Sequence, residues 1–303
     1  MKAFKSILAF QKHFDTEEKC REYLEQQKWN GTPCCTHCAS VNVTRFKKDA
    51  RRFQCNEKGC RKQFSVLTGT FAENTKIPLT KWFLAMYILN NHSKGISSLQ
   101  LAQWLDVTQK TAWFLNHRIR EMLNQTGETL DGTVEVDEVY IGGSDKNRHK
   151  HKKKGSSSKT MVVGAIERGG KVVTKVIPST NIENVTNFIH DTIEPNSVMV
   201  TDEHGAYAKV GEQYTHHRVN HGAKEYVRKD NKQVHTNNIE GYWNILKKQI
   251  NGIHHSVSPK HLQRYCNENA YRFNNRFLAQ DERFAVSLAN CFGRLKYQDL
   301  IAN

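Results

Sequence analysis

No apolar run in these 303 residues approaches the ~20 that a membrane-spanning helix needs. The opening stretch, residues 1–10, is too short and too interrupted by lysine to serve as a signal peptide. No repeat period is visible, which excludes solenoids and propellers. Acidic residues are the scarce charge: 30 Asp and Glu stand against 45 Lys and Arg, a formal charge of +15 with a pI near 9.4. Such an excess says nothing of fold but favours a polyanionic partner, nucleic acid ahead of a membrane surface. The length suits about two domains at ~100–200 residues each. These features together predict a nucleic-acid-binding protein of the cytoplasm, associated with the nucleoid and not with a membrane.

Eight cysteines are present, and five of them fall within residues 34–60. Lone cysteines in a basic chain without a secretory signal predict a reducing compartment, where paired cysteines bind metal more often than they form disulfides. Cys35-Thr-His-Cys38 and Cys55-Asn-Glu-Lys-Gly-Cys60 are separated by 16 residues. Two such pairs on two turns can give four thiolates to one tetrahedral Zn²⁺. Cys35, Cys38, Cys55 and Cys60 are the expected ligands, with Cys34 as a possible exchange for Cys35 and His37 as a more distant alternative. The interleaved Arg45, Phe46, Arg51, Arg52 and Phe53 suit a small zinc ribbon.

Helical periodicity begins at Thr80. Leu99, Ala102 and Leu105, then the turn Asp106-Val-Thr108, then Gln109 to Arg120 fit a helix-turn-helix. Its second helix would offer Gln109, Lys110, Thr111, Asn116 and Arg118 to a DNA groove. Beyond Gly127 the pattern turns strand-like: strands are expected at 133–141, 160–167, 171–177 and 197–201, and helices at 184–192, 237–250 and 259–274. Residues 146–154 interrupt the first hairpin. Six of those nine are Lys or Arg, so the segment reads as a phosphate-binding arm carrying Lys150, Lys152, Lys153 and Lys154.

Three acids carry the chemistry. Asp137 lies in a strand-like run, Asp202 ends an apolar run, and Glu240 opens a helix-like stretch. Glu135, Glu138 and Glu203 are neighbouring decoys, and alternation places Glu135 on the same face as Asp137. Asn237 and Glu240 also match a capping box, with Asn237 as N-cap. Lys247 follows Glu240 by two helical turns, so both project from one face. Strand hairpin, helix, Asp-ended strand and Glu-bearing helix succeed one another in the order of the RNase H-like fold. In that fold the carboxylates gather around hard divalent cations that act on phosphodiesters.

Several stretches in combination resemble the DDE transposases of the insertion-sequence group that carry an N-terminal zinc ribbon (ISXO2-like, Merlin-related). They are Cys35-Thr-His-Cys38, Arg61-Lys-Gln-Phe-Ser-Val-Leu-Thr-Gly-Thr-Phe71, Ile77-Pro-Leu-Thr-Lys-Trp82, Val134-Glu-Val-Asp-Glu-Val-Tyr-Ile-Gly-Gly143 and Val198-Met-Val-Thr-Asp-Glu-His204. They continue with His235-Thr-Asn-Asn-Ile-Glu-Gly-Tyr-Trp-Asn-Ile-Leu-Lys247, Gly252-Ile-His-His255 and Tyr271-Arg-Phe-Asn-Asn-Arg276. The resemblance covers roughly residues 15–280. It implies that Asp137, Asp202 and Glu240 hold two Mg²⁺ (or Mn²⁺) ions and that Lys247 binds phosphate near the scissile bond. It also implies DNA partners, namely the element's terminal inverted repeats and target DNA, and a homodimer or larger assembly on them. Some members use Asn as the third ligand, which leaves Asn237 and Asn238 open beside the preferred Glu240.

The expected architecture is a multi-domain α/β chain. It comprises an N-terminal helix (1–30), zinc ribbon (31–72), helix-turn-helix (78–126), RNase H-like catalytic domain (130–280) and C-terminal tail (281–303). A silenced or domesticated relative acting as a DNA-binding regulator is the alternative function. The intact acids speak against it, since a regulator has no use for them. A structure-specific nuclease would keep the acids but has no need of two end-reading modules.

Overall fold

A computed structural model describes residues 4–124, 127–142, 159–207, 210 and 213–302. The chain divides into two compact units, one of residues 1–123 with 277–303 and the other of residues 124–276.

The first unit begins with α1 (Ile7–His13) and α2 (Glu17–Trp29). Each starts on a hydroxyl cap: Ser6 Oγ accepts from the Ala9 N–H and Thr16 Oγ1 from the Lys19 N–H. α2 stops where Asn30 and Gly31 take positive φ of 46° and 87°, a left-handed exit that glycine adopts without a Cβ penalty. A small antiparallel sheet follows, β1 (Val43–Arg45), β2 (Arg52–Cys55) and β3 (Gln63–Ser65). Trp29, Phe53 and Phe64 pack beneath it, the two phenyl rings stacked 5.4 Å apart. α3 (Leu79–Asn91) is apolar around most of its circumference and therefore buried. α4 (Ser98–Leu105) and α5 (Gln109–Met122) form a helical hairpin across the turn at Asp106, whose φ is +49°.

Residues 281–303 do not form the expected tail. They return to the first unit as α9 (Gln280–Ala289) and the short α10 (Tyr297–Ile301). Phe284 is fully buried among Phe10, Phe14 and Phe83, with ring centroids 5.0–5.8 Å away. Asn90 Nδ2 donates to Ser287 Oγ at 2.6 Å. The apolar face of α9 supplies surface that α3 must bury, so a free tail would leave both exposed.

The second unit is built on β4 (Thr133–Ile141), β5 (Thr160–Glu167), β6 (Val172–Ile177), β7 (Val198–Thr201) and β8 (Thr215–Arg218). Among the described residues they form a sheet in the order β6-β5-β4-β7-β8. β4, β5 and β6 are antiparallel, whereas β7 runs parallel to β4 and β8 parallel to β7. Helix α6 (Ile182–Thr192) covers one face, where Val134, Val136, Val163 and Ala165 meet Val185, Phe188 and Ile189. Helices α7 (Asn237–Gln249) and α8 (Pro259–Asn274) cover the other. There Val139, Ile141 and Val162 meet Ile239, Trp243, Leu246 and Leu262. Alternation along β4 decides what each face receives: even-numbered residues 134 and 136 go to α6, and odd-numbered 135 to 141 go to α7 and α8.

The edge strand β6 is closed by side chains of α8. Asn274 Oδ1 accepts from the Val172 N–H at 2.8 Å and its Nδ2 donates to the Val172 carbonyl at 2.9 Å. Gln263 Oε1 accepts from the Val176 N–H at 2.7 Å, and its Nε2 donates to the Thr174 carbonyl at 3.0 Å. Two amide side chains thus occupy the outward backbone groups that another strand would otherwise take. Replacing Gln263 and Asn274 together by alanine is expected to destabilise the chain by about 1–3 kcal/mol for each backbone group left unsatisfied. It should also bring concentration-dependent association, read by urea melts and light scattering; an unchanged, monodisperse double variant would contradict this role.

Candidate functional site

Asp137 and Asp202 are brought together by strand register. β4 and β7 pair in parallel with Glu135 opposite Val200, so two residues further on Asp137 and Asp202 draw level. Asp137 is half-buried, and its Oδ2 accepts from the Trp243 indole N–H at 3.0 Å. The indole reaches it across Gly164, the registered partner of Asp137 on β5. A Cβ at 164 would lie 2.5 Å from the Trp243 ring, which is why that position has no side chain. Burial, the neighbouring charge of Glu138 and that of Asp202 together push the Asp137 carboxyl up to about 7. Glu138 faces the α6 side, where its Oε2 accepts from the Tyr207 hydroxyl at 2.6 Å. Asp202 Oδ1 accepts from the His204 N–H at 2.9 Å.

Glu240 sits on α7, over the same face of β4 as Asp137, but its polar partners are local. Thr236 Oγ1 donates to its Oε1 at 3.0 Å, and His221 Nε2 lies 3.6 Å away. The expected capping box is not formed. The N-cap is Thr236, not Asn237, which puts Glu240 one position beyond N3. The amides in the first turn of α7 are taken instead by Glu135, as described below. Among the described residues, no three carboxylates or imidazoles converge within 4.8 Å; the one such group of potential ligands is made of cysteines. The fold therefore unites Asp137 with Asp202 and sets Glu240 and the exposed Lys247 on a helix docked against the Asp137 strand. Asn238 is engaged elsewhere, its Nδ2 donating to Glu135 Oε1 at 2.7 Å.

The decoy acids have structural work. Glu203 accepts from the His221 and Gly222 N–H groups, both at 2.8 Å, and so holds the loop that brings His221 to Glu240. Sequence patterning missed Trp243 as a partner of Asp137, and missed His221 and Tyr207. A tryptophan spaced three residues after Glu240 and a glycine opposite Asp137 carry that signal only once the register of β4 with β5 is known.

Cys35, Cys38, Cys55 and Cys60 gather with their Sγ atoms all within 4.8 Å of one another. Cys35 and Cys60 are 3.8 Å apart, and Cys38 and Cys55 3.6 Å. Four thiolates at about 2.3 Å from a tetrahedral zinc stand about 3.8 Å from each other, so the donor set fits the metal. Cys34 lies outside the group, and His37 contributes its backbone N–H to Cys35 Sγ at 3.4 Å.

In the helical hairpin, Gln109 and Lys110 are exposed and Thr111 half-buried at the start of α5. Gln109 Nε2 donates to Ser98 Oγ at 2.8 Å, and Lys110 Nζ lies 4.9 Å from the Tyr297 ring centroid. Asn116 and Arg118, expected to face a groove, are instead 1% and 7% exposed. The guanidinium of Arg118 lies 5.2 Å from the Trp82 ring and 5.3 Å from Phe114. Burial, with the nearby Arg294 charge, holds its pKa down to about 10. The packed side of α5 thus includes both residues. Lys150, Lys152, Lys153 and Lys154 lie outside the described residues.

Two outcomes follow for these centres. Cys55→Ser should abolish bound zinc, measured by elemental analysis of the purified chain, while Cys34→Ser should retain one equivalent; the reverse result would exchange their roles. At Asp137 the folded-state pKa of about 7 lies above the ordinary 3.8. The folded chain therefore binds the extra proton between those values, and this carboxyl's contribution to stability falls as pH rises through that window. In magnesium-free buffer Asp137→Asn should melt above the wild type at pH 8, with the gap narrowing by pH 5.5. A gap independent of pH would show that the charge is not its cause.

Comparison with known proteins identifies two of the chain's segments. Residues 129–274 match the family described as the ISXO2-like transposase domain, and residues 15–63 the transposase zinc-ribbon domain. An uncharacterized protein in transposable element ISH50 of Halobacterium salinarum is 27% identical over 271 residues, covering 84% of this chain and 90% of that one. An uncharacterized transposase-like protein of Haemophilus influenzae is 26% identical over 106 residues, covering 35% of this chain and 82% of its own. Among solved structures, a pre-cleavage Mos1 transpososome aligns over 70% of this chain and 79% of that one at 12% identity, with a TM-score of 0.25. Among the described residues no helix is long and apolar enough to cross a membrane. Residues 129–274 are thus an ISXO2-like transposase domain, behind a transposase zinc ribbon whose four cysteines converge as a zinc site requires.

Proposed function

We propose that this transposase binds the ends of its own element, cleaves DNA there and joins the freed 3′ ends to target DNA, using a carboxylate centre of Asp137, Asp202 and Glu240. The zinc ribbon (31–72) and helical hairpin (78–126) serve as end-reading modules, and residues 130–280 as an RNase H-like catalytic domain. The observation that carries the reading is Asp137, in the middle of β4, level with Asp202 just past the end of the parallel strand β7, with the Asp137 carboxyl driven up to about 7. Two crowded carboxylates form a donor set that a hard divalent cation relieves. The sheet order supports the RNase H-like assignment, because its first three strands are antiparallel and the next two run parallel to the first.

Asp137, Asp202 and Glu240 would hold two Mg²⁺ or Mn²⁺ ions, which when bound supply activation of the attacking oxygen and stabilisation of the leaving one. The chain's own tasks are separable from that chemistry. Asp137 sheds its proton to become a ligand, and Trp243 holds the carboxylate oxygen in place meanwhile. His221 and Thr236 orient Glu240 before metal arrives. Lys247, exposed two turns along α7, meets a backbone phosphate as a point charge. Gln109, Lys110 and Thr111 at the start of α5 are the groove-reading residues that remain after Asn116 and Arg118 are withdrawn. Lys150, Lys152, Lys153 and Lys154 contribute phosphate contacts. Processing two ends calls for a homodimer or larger assembly on DNA, in the cytoplasm at the nucleoid.

The test supplies the chain with Mg²⁺ and a duplex bearing the element's ends, then follows 3′-OH formation and joining. Losing a partner outside the ligand sphere typically costs about 10–100-fold, so Asp202→Asn should cost ~100-fold or more. Full activity in that variant would remove Asp202 from the centre. End binding should survive the substitution and weaken steeply with added salt.

A further inference from the structure

Glu135 is the most heavily hydrogen-bonded side chain near the acidic centre, and its role is to position rather than to ligate. Its side chain has no solvent exposure. Oε2 accepts from the backbone N–H groups of Asn238 at 2.8 Å and Ile239 at 3.1 Å. Oε1 accepts from Asn238 Nδ2 at 2.7 Å and Arg168 Nε at 2.8 Å, with His235 Nδ1 at 3.3 Å. Four hydrogen-bond donors, two on each oxygen, fill the carboxylate's acceptor positions, so none is left over for a metal ion.

The placement of those donors matters more than their number. Asn238 and Ile239 are the second and third residues of α7, whose own N-cap, Thr236, makes no side-chain cap bond. A helix start leaves N–H groups without intrahelical partners and a partial positive charge. Glu135 supplies both the acceptor and the charge from another element. It is a helix cap delivered by the strand that carries Asp137 two residues further on. Ile239, in turn, immediately precedes Glu240. Arg168 completes the clamp: its Nη2 donates to the His235 carbonyl at 3.0 Å, which fixes the chain just before α7.

We infer that Glu135, backed by Arg168, is the positioning residue that sets the helix of Glu240 against the strand of Asp137, and so fixes the spacing of the carboxylate centre. Asp137 and Glu240 are joined through Glu135 by two residues of strand, one carboxylate and one residue of helix. Loss of this clamp loosens the centre without removing any ligand. The inference rests on the reading that Asp137 and Glu240 serve one centre.

The experiment uses the full chain. In Glu135→Gln, hydrogen exchange at the Asn238 and Ile239 amides should rise by tenfold or more. Mn²⁺ affinity should fall about tenfold, as expected for a residue acting through a ligand. Excess Mn²⁺ should restore DNA cleavage to Glu135→Gln but not to Asp137→Asn, which separates positioning from ligation. If Glu135→Gln does not fold, Asn238→Ala, which removes one of the four donors and keeps the backbone cap, should show the same pattern more weakly. Unchanged exchange at 238 and 239, or wild-type Mn²⁺ affinity once those amides are freed, overturns the inference. A wild-type chain that binds no Mn²⁺ sinks the metal-centre reading instead; the exchange measurement then still decides whether the clamp exists.

Discussion

One buried carboxylate governs the arrangement of the second unit. Glu135 is taken out of water entirely, and an ionised group in that position is tolerable only when its hydrogen-bonding capacity is filled. The filling comes from Arg168, from the Asn238 amide and from the start of α7. The requirement works in both directions. The helix start would otherwise leave N–H groups unpaired, and the carboxylate would otherwise be stranded in an apolar interior. Each satisfies the other, so α7 has one depth and one rotation relative to β4. The apolar contacts of Ile239, Trp243 and Leu246 supply attraction between helix and sheet, but attraction of that kind tolerates sliding. The directional contacts remove that freedom.

The same strand carries the opposite situation two residues away. Asp137 is half-buried beside two other acids, and the indole of Trp243 is the one donor that reaches its carboxylate from α7. Where Glu135 is saturated, Asp137 is left with capacity and with repulsion. Strand alternation puts both side chains toward α7, so the contrast comes from what the helix offers at each level: backbone amides at its first turn, a single indole N–H further along. The resulting repulsion is local to Asp137, whose carboxyl is pushed up to about 7 by burial and by the charges of Glu138 and Asp202.

Much of this was legible in the amino-acid order. The bounds of β4 and β5 follow from their short, β-branched apolar runs, buried on both faces of the sheet, and those of α8 from helical period. Asp137 stood out as an acid within a strand-like run and Asp202 as one ending an apolar run, and the cysteine spacing identified Cys35, Cys38, Cys55 and Cys60. What failed was information that exists only in three dimensions. Thr215 to Arg218 has no apolar alternation, so β8 was not expected; it is a strand because β7 offers it a free edge. Asn116 and Arg118 look like groove-reading residues on a helix, yet they lie on the packed side of α5. Residues 281–303 follow the last stretch that resembles the family and so were expected as a tail, yet Phe284 reaches the aromatic cluster of the first unit. Glu135 read as a decoy because a saturated carboxylate and an open one are the same letter.

The two candidate metal centres differ in a way that follows from their donors. Four thiolates around one point use every position of a tetrahedral ion, leaving none for a substrate, so the cluster of Cys35, Cys38, Cys55 and Cys60 can only hold the ribbon together. Asp137 and Asp202 are oxygen donors, partly solvated and not closed by a third acid, because Glu240 is held by Thr236 and His221 instead. If Asp137 and Asp202 hold a divalent cation as proposed, so few protein donors would leave it open positions for a phosphate oxygen. On the proposed reading the chain would separate a permanent site, built from neighbouring residues, from an exchangeable one assembled from elements 103 residues apart (Asp137 to Glu240). Contacts that distant in sequence cannot rely on local chain geometry for their precision, and this is why the strand-to-helix clamp sits within two residues of one candidate ligand and one residue of the other.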